Sequence, residues 1–462
     1  MMNHPHYPRL LTLGATIAIL VALLAFFARS ASAQSVSSDS TVRLTLGQAV
    51  RLAARDNVQV ESARYRVEAA SARVTQRRAD LLPTLSANVA ERGSTLNSAA
   101  LFPIDFPSAP GQPPLFDPNG SILGPLNVFE ARARVSQTVL DPSALGRVRG
   151  ARTSVQAAGA DLANVADQAA AGAANAYLMV LRADAVVTAR LADSTLAAEL
   201  LGIAQDQLRA GTGVALDVTR ARSQLTGART QLIVARNDRD RNHVELARAL
   251  GLPLVRLELA DSLASMPLST TAAESAALGA AIRGRKDLQS IELQARAARE
   301  QAAAIRNERL PTIGVFADEG ISQRNGRSYL PTYDWGIQLS LPIFDGLRRE
   351  GRVEEQLSVA RDLASRERDL RTQVEADVRI AVLNLTSSAE AVAAARERLG
   401  LAEQEVAQAR ERFQAGVAGN ADVITASLTL NNARTQYVDA LASYHAARVA
   451  LARAQGSITT LE

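Results

Sequence analysis

A seven-residue repeat of apolar positions runs along the C-terminal part of the chain. Large apolar side chains recur every seventh residue, at Val378, Leu385, Val392, Leu399, Val406 and Phe413. Small side chains follow three residues later, at Ala381, Ser388, Ala395, Ala402 and Ala409. A heptad seam of this kind is typical of closely packed coiled coils. It predicts a very long helix over about 347–415, and a weaker echo at Val180, Val187, Leu201 and Leu208 predicts another over about 146–210. At about 1.5 Å per residue, each helix spans on the order of 100 Å.

A different period, of two residues, marks the segments before each long helix. Apolar side chains occupy one side of the alternation, at Phe129, Tyr333, Trp335, Ile337 and Leu339. Polar side chains occupy the other, at Glu130, Arg132, Arg134, Asp334 and Gln338. The alternation predicts four strands, paired as about 84–93 with 128–139 and about 311–322 with 332–343.

Such alternation over about ten residues is typical of a membrane barrel filled with water, with apolar residues toward lipid and polar residues toward the lumen. A half-buried sheet in a soluble protein has the same period and stays open as the alternative. In a barrel, Tyr333 and Trp335 anchor the lipid interface, although ordinary strand packing explains them equally well. The charged lumen residues tune permeation or simply face water.

The chain contains two copies of one architecture. Short motifs recur 205 positions apart: Ala-Arg-Thr-Gln at 228–231 and 433–436, Leu-Ala-Arg-Ala at 246–249 and 451–454, Ala-Gly at 210–211 and 415–416, and Asp-Val at 217–218 and 422–423. Each half begins with a predicted helix, at about 46–81 and 273–308, which a Leu-Pro pair ends. The predicted divisions are a first repeat over 34–251, a connector over 252–272 and a second repeat over 273–462. Prolines cluster at 103–125, so 94–127 is predicted to be a loop that faces outside or folds over the mouth of the barrel.

Four strands are too few to close a barrel around water, and an open sheet edge cannot face lipid. The barrel must therefore be shared between chains. Three copies supply twelve strands, and the duplicated halves then give the helices pseudo-sixfold order. The predicted fold is mainly α with a small β part: a long-helix α-barrel joined to a shared transmembrane β-barrel.

Composition narrows the class of protein. Apolar residues make up 47% of the chain but aromatic residues only 4%, a mixture that favours long packed helices. The 51 basic and 47 acidic residues are balanced and interspersed, so nucleic-acid binding is not expected. The absence of cysteine excludes disulfides, thiolate metal sites and lipid attachment through an N-terminal cysteine. Residues 1–33 are predicted to be a secretory signal, a retained membrane anchor being the alternative, and no later stretch is expected to span a membrane as a helix.

Two glycine-containing loops, at 211–217 and 416–422, follow the predicted long helices. Glycine suits the left-handed conformation that ends a helix, and Asp217 and Asp422 suit the start of the next one. This structural explanation accounts for both residues. No catalytic set, phosphate-binding loop or metal cluster is present in the sequence, and His243 and His445 are expected on helix surfaces. Neither a cofactor nor an enzymatic activity is predicted.

The order and duplication of these motifs resemble the TolC-like outer-membrane efflux proteins. The resemblance rests on Leu-Thr-Leu-Gly-Gln-Ala-Val at 44–50, the two Leu-Pro strand starts, Leu-Pro-Ile-Phe-Asp-Gly at 341–346 and the two Ala-Gly…Asp-Val loops. It covers about 40–456. It implies a homotrimer in outer-membrane lipid that extends into the periplasm, with a mixed equatorial collar. It also implies a passive, porin-like exit duct that serves a periplasmic adaptor and an inner-membrane pump, of RND type for efflux or ABC type for type I secretion.

The resemblance also assigns the two loops to the periplasmic tip of the duct. Asp217 and Asp422 would then line the entrance, and the adaptor would dock on the remaining tip residues, Gly211, Gly213, Val214, Gly416, Val417 and Gly419. The sequence departs from the family here. Val214 and Gly419 replace the usual hydroxyl caps, Thr425 replaces a second acidic residue, and Phe413 replaces a tyrosine that latches the closed tip; Asn420 is predicted to cap instead.

Two other interpretations compete with the duct. A periplasmic adaptor would also be secreted and helical, but it should carry one helical hairpin between β-rich modules, whereas this sequence repeats its hairpin. A secreted enzyme with additional helices would need acid–base or metal-binding residues that the chain does not supply. The transported substrate cannot be read from the sequence.

Overall fold

A computed structural model describes residues 42–97, 120–252, 257–268, 273–417 and 419–461. The helices are α1 (Leu46–Asp56), α2 (Val58–Ala79), α3 (Pro142–Arg209), α4 (Ala215–Leu250), α5 (Glu274–Gly284), α6 (Lys286–Arg306), α7 (Arg348–Gln414) and α8 (Asn420–Ala454). The strands are β1 (Val42–Leu44), β2 (Thr84–Asn97), β3 (Ile122–Leu140), β4 (Leu257–Leu259), β5 (Thr312–Arg324) and β6 (Leu330–Ser340). The predicted secretory signal lies outside the described residues.

The two long helices have the predicted extent. α3 has 68 residues and α7 has 67, so each spans on the order of 100 Å. Each turns back at its end into a shorter antiparallel helix, α4 or α8, to form a helical hairpin. Most large residues of the heptad seam in α7 are buried, which confirms that the seven-residue repeat packs one helix of the hairpin against its neighbours.

The single helices predicted at 46–81 and 273–308 are each broken in two. The first break is at Asn57, whose backbone is extended and whose side-chain oxygen accepts a hydrogen bond from the Gln59 amide. The second is at Arg285, where the chain crosses the turn that ends α8. There the backbone of Gly456 lies so close to Gly284 that a Cβ built on Gly456 would be 2.7 Å from the Gly284 carbonyl carbon. The breaks arise from capping and a tertiary contact rather than from proline.

The four longer strands form one antiparallel sheet in the order β2-β3-β5-β6. Within the described part of the chain, β2 and β6 each pair on one side only, so both edges of the sheet are open. β2 and β3 extend to Asn97 and from Ile122, so the sheet includes both ends of the segment predicted to be a loop over 94–127. The middle of that segment lies outside the described residues. β6 ends at Ser340, before the predicted limit of 343.

This sheet has no core of its own. None of its residues with a described side chain is buried, on either face. A soluble sheet normally packs one face against helices or another sheet, since burial of apolar area stabilises it. Within the described residues, no other element of the chain supplies this stabilisation. The sheet therefore does not match the half-buried sheet of a soluble protein that was the alternative.

A small collar joins the two halves near the middle of the long helices. β1 and β4 pair in parallel, and the Asp261 carboxylate just beyond β4 accepts hydrogen bonds from the Leu46 amide and the Tyr177 hydroxyl, both at 2.8 Å. Burial and the neighbouring carboxylate raise the pKa of Tyr177, so its hydroxyl stays a donor. The collar thus fixes the start of α1 against α3.

His445 lies inside this collar, which corrects its expected position on a helix surface. It is 1% exposed, packs edge-on against Tyr444, and its Nε2 is 3.2 Å from the Leu263 carbonyl oxygen. Burial lowers its pKa below the ordinary value, with a smaller opposing effect from the Leu263 carbonyl. His445 is therefore a neutral core residue rather than a ligand.

The depressed pKa of His445 predicts a loss of stability in mild acid. As the pH falls below the ordinary histidine value, the unfolded chain binds a proton that the native chain refuses. The stability that His445 contributes is thus fully present above the ordinary histidine pKa and is lost as the pH falls through the lower native pKa. We expect the urea midpoint to fall more steeply between about pH 7 and 5 in the wild type than in His445→Gln. Parallel pH profiles for the two proteins would contradict this expectation.

Among the described helices, α7 is long and apolar enough to cross a membrane, by length and composition alone. This corrects the expectation that no such stretch follows the secretory signal. Part of its apolar character belongs to the buried heptad seam, but Ile380 and Leu383 are 56% and 62% exposed. The long helices therefore carry apolar surface that their own chain does not cover.

Candidate functional site

The two hairpin turns share one local geometry. Gly211 and Gly416 have φ angles of 78° and 71°, the left-handed conformation predicted for them. In the first turn Thr212 donates to the Gln207 carbonyl and Gly211 to the Leu208 carbonyl; in the second, Val417 and Gly416 donate to the Arg412 and Phe413 carbonyls. Each turn is a Schellman motif, which satisfies the last carbonyls of a long helix.

Both candidate aspartates stand in the first turn of the helix that follows. Neither Val214 nor Gly419 caps its helix with a side chain, so the carboxylates supply the negative charge that a helix start favours. The Asp217 side chain is 21% exposed and lies 4.0 Å from Arg220, whereas Asp422 is exposed. The two positions are equivalent in the repeat, but the Asp422 carboxylate is more accessible to solvent and ions than that of Asp217.

The prediction that Asn420 caps α8 is wrong, because its side chain instead joins the two turns. Asn420 is 1% exposed, and its Nδ2 donates to the Asp217 carbonyl oxygen at 2.8 Å. A second link runs the other way, from Gln207 Nε2 to the Phe413 carbonyl oxygen at 2.7 Å. Sequence reasoning missed both links because their partners are about 200 positions apart; the only local signal is an amide side chain inside each turn region.

An apolar cluster lies between the two hairpin ends. It consists of Leu200, Ala204, Ala221, Phe413 and Val423. Phe413 is 2% exposed, so it is a packing residue shared by the two hairpins. Among the remaining candidate tip residues, Val214 and Val417 are 57% and 71% exposed, and Gly211, Gly416 and Gly419 are exposed while Gly213 is half-buried. The tip therefore presents apolar and backbone surface above a packed base.

A buried carboxylate holds the hairpins together farther from the tip. The Asp193 side chain of α3 is 1% exposed and lies 3.1 Å from Arg190 Nη1 and 2.9 Å from Arg434 Nη1 of α8. Arg190 also donates to the Thr435 hydroxyl at 2.9 Å. Nothing in the heptad pattern indicates this group, which sequence reasoning also missed.

The sheet separates the other candidate residues onto two faces. Antiparallel partners share a face, and the register pairs Arg134 with Asp318 and Asp318 with Asp334. It follows that the predicted polar residues of β3 and β6 share one face: Glu130, Arg132, Arg134, Asp334 and Gln338. The predicted apolar residues share the opposite face: Phe129, Tyr333, Trp335, Ile337 and Leu339.

The two faces differ in chemistry as well as composition. On the polar face Arg132 Nη1 is 2.5 Å from Asp318 Oδ1, Arg132 Nη2 is 3.2 Å from the Thr332 hydroxyl, and the Arg134 guanidinium lies 4.9 Å from the centre of the Phe316 ring. On the apolar face Tyr333, Trp335 and Ile337 are 80%, 71% and 73% exposed. The polar face thus holds an ion pair and a cation–π contact, whereas the apolar face presents large side chains that are mostly exposed in the described chain.

The sequence profile of the family described as outer membrane efflux protein matches residues 49–252 and 277–457. The chain belongs to the outer membrane efflux protein family. Members of this family are transport ducts rather than enzymes, and they lie in the outer membrane and extend into the periplasm. They work with periplasmic adaptors and inner-membrane pumps. The efflux protein described here accordingly has an outer-membrane location and a transport role.

Solved structures share the fold of this efflux protein. The outer membrane channel CmeC of Campylobacter jejuni superposes with a TM-score of 0.70 at 16% identity, over 92% of this chain and 90% of CmeC. The outer membrane protein VceC of Vibrio cholerae gives 0.69 at 18% identity, over 89% and 96%. The alkaline protease secretion protein AprF of Pseudomonas aeruginosa is 28% identical over 251 residues. That match covers 52% of this chain and 51% of AprF, so it reaches about half the length of the relative.

Proposed function

We propose that this efflux protein is the exit duct of a three-part export machine, formed by three copies of the chain. The observation that carries the proposal is the coreless sheet. In the described part of the chain it is exposed and largely apolar on one face, polar on the other, and unpaired at both edges. Such a sheet is stable in a membrane only when lipid covers one face, water fills the other and the edges are closed. Three copies supply twelve strands, an even number of the kind that outer-membrane barrels use.

The helical hairpins support the same assembly. Exposed apolar side chains lie along them in the described chain, among them Ile233 and Val234 on α4 and Ile380, Leu383 and Leu401 on α7. In our proposal neighbouring copies cover these residues and complete an α-barrel in the periplasm. The polar residues Glu130, Arg132, Arg134, Asp334 and Gln338 then face the lumen, and Phe129, Tyr333, Trp335, Ile337 and Leu339 face lipid.

The hairpin turns form the periplasmic end in this proposal. Asp217 and Asp422 surround the entrance, and an adaptor docks on Gly211, Gly213, Val214, Gly416, Val417 and Gly419. The exposed Val214 and Val417 suit an apolar partner surface. Transport through the duct is passive, and the pump, of RND or ABC type, supplies energy. The similarity to a protease secretion protein supports type I secretion as a use of the duct, beside efflux.

The repeat predicts which strands close the barrel. Asp345 follows β6 as Asp141 follows β3, and Thr312 begins β5 as Thr84 begins β2. The Val135–Ala317 pair of β3 and β5 therefore maps onto Leu339 of one copy and Val89 of the next. In Val89→Cys/Leu339→Cys, we expect oxidation or a short thiol cross-linker to yield linked trimers on denaturing gels. The chain has no other cysteine to interfere.

Two controls make the cross-linking test specific. Each single cysteine variant should stay monomeric on the gel. The pair Val89→Cys/Tyr333→Cys keeps the same face but displaces one partner by six positions, about 20 Å along the strand, and should not link. Linked dimers without trimers, or equal linking in both pairs, would overturn the proposed closure.

The entrance carboxylates predict a measurable ion preference. A unit charge about 10 Å away changes the energy of an ion by about 0.4 kcal/mol in water, so three of them alter the local cation concentration several-fold at low salt. We expect Asp422→Ala to reduce the cation preference of single channels in planar bilayers more than Asp217→Ala, whose carboxylate already faces Arg220. Unchanged reversal potentials in Asp422→Ala would remove this residue from the entrance.

A further inference from the structure

The segment between β6 and α7 holds two of the most exposed apolar side chains of the described chain. Ile343 is 90% exposed and Phe344 is 80% exposed, and they are neighbours in sequence. Leu341 before them and Leu347 after them are 54% and 66% exposed. Together, residues 341–347 form an apolar surface at the junction of sheet and helix.

A defined backbone conformation and local contacts mark the end of this surface. Gly346 and Leu347 have φ angles of 70° and 67°, and the second is unusual for a residue with a branched side chain. Asp345 accepts a hydrogen bond from the Arg349 amide at 3.1 Å, and its carboxylate lies 3.6 Å from the guanidinium of Arg349, which is 5% exposed. A backbone fixed in this way, with its largest apolar side chains in the open, is suited to a partner outside the chain.

The other half of the chain repeats the feature. Val139 and Leu140 stand directly before Asp141, which accepts hydrogen bonds from the first amides of α3, as Ile343 and Phe344 stand before Asp345. Val139 and Leu140 are 60% and 42% exposed. The two pairs lie at equivalent levels of the duplicated architecture, so a trimer would carry six of them in a ring.

Continuity with the proposed lipid-facing face identifies what covers this ring. On β6, Trp335, Ile337 and Leu339 occupy one face at every second position and are 71%, 73% and 67% exposed. Leu341 and Ile343 continue this spacing beyond the end of the strand and are exposed as well. An apolar row that runs without a break from the lipid-facing face into the junction is suited to the same surroundings, the acyl chains of the membrane.

We infer that Ile343 and Phe344, with Val139 and Leu140, insert into the periplasmic leaflet of the outer membrane and anchor the base of the barrel in lipid. The inference rests on the proposed shared barrel and adds to it a lower boundary of the membrane. The occupant is the acyl-chain region of that leaflet rather than a neighbouring chain or an adaptor.

The single tryptophan of the chain, Trp335, allows a direct test. Phe344→Trp in a Trp335→Phe background places one fluorophore at the proposed anchor. The purified protein is reconstituted in liposomes whose lipids carry bromine on the acyl chains. We expect emission shifted to the blue and a loss of intensity close to that of the wild-type Trp335. Leu383→Trp in the same background is the control, because Leu383 lies about 50 Å along α7 from the junction and therefore far from the proposed bilayer.

The possible results separate the inference from the proposed function. Quenching in the Phe344→Trp variant and in the wild type, but not in the Leu383→Trp variant, supports both. An unquenched Phe344→Trp variant beside a quenched wild type overturns the anchor and leaves the barrel intact. If the emission of Phe344→Trp is shifted to the blue but unquenched, protein covers the site, which also overturns the inference. If Trp335 of the wild type is not quenched, the membrane barrel fails and the anchor with it.

Discussion

Asp193→Ala should destabilise the efflux protein by about 3 kcal/mol, because it removes the shared partner of two arginines. The carboxylate is 1% exposed and faces both Arg190 and Arg434, which keep 19% and 24% of their side-chain exposure. Loss of one member of a buried ion pair commonly costs about 3–5 kcal/mol, and the partial exposure of the arginines places this case at the low end. The urea midpoint of the detergent-solubilised protein measures the effect.

A matched exposed pair separates this cost from that of any lost ion pair. Asp206 pairs with Arg209 on the same helix, and both side chains are largely exposed. Asp206→Ala should change the stability by less than about 0.5 kcal/mol. Asp193→Asn, which keeps hydrogen-bonding atoms but not the charge, should fall between the two. If Asp193→Ala and Asp206→Ala are equally stable, the Asp193 group does not hold the hairpins together.

Gly456→Ala should be about as damaging, for a steric reason. Gly456 has a φ of 69°, which costs an alanine roughly 1–2 kcal/mol. A Cβ there would also lie 2.7 Å and 2.8 Å from the carbonyl carbon and oxygen of Gly284. Those atoms are backbone and cannot rotate away, so overpacking adds about 1–3 kcal/mol. We expect a total of about 3 kcal/mol, measured by the same urea midpoint.

Gly346→Ala is the control for the backbone conformation alone. Gly346 has a φ of 70°, but a Cβ at this position meets no heavy atom within 4 Å. Its replacement should therefore cost only about 1 kcal/mol. A Gly456→Ala variant no less stable than Gly346→Ala would show that the contact between the C-terminal turn and the end of α5 is loose in solution.

The features that could be predicted from the sequence are those with local or periodic causes. The heptad seam indicates α7 because a seven-residue spacing has no other common structural meaning, and the Ala-Gly pairs indicate turns because left-handed backbone favours glycine. The break at Asn57 was missed although an asparagine can cap a helix, because the apolar pattern continues across it. The break at Arg285 depends on a contact with Gly456, which no local pattern reveals.

The candidate site likewise has some features with local causes, which the sequence predicts, and others that depend on packing between the two halves. The positions of Asp217 and Asp422 at helix starts followed from the glycine turns before them. The hydrogen bond from Asn420 to the Asp217 carbonyl and the burial of Asp193 between α3 and α8 depend on how two halves pack. The expectation that His445 lies on a helix surface was wrong because its neighbours in sequence do not show that the segment around Leu263 packs against it. Contacts between the two halves are tertiary contacts, and local patterns in a single sequence do not indicate them.

The two unpaired edges of the sheet have a consequence for how the protein is made. If the barrel is shared between copies as proposed, each newly exported polypeptide carries, in the described part of the chain, open strand edges at β2 and β6 and an exposed apolar face until it assembles. Open edges of this kind attract any other strand within reach. The open edges of each unassembled chain must therefore be kept away from other strands during biogenesis. When the protein is overproduced, chains that have not assembled should aggregate through these edges while their helices are still folded.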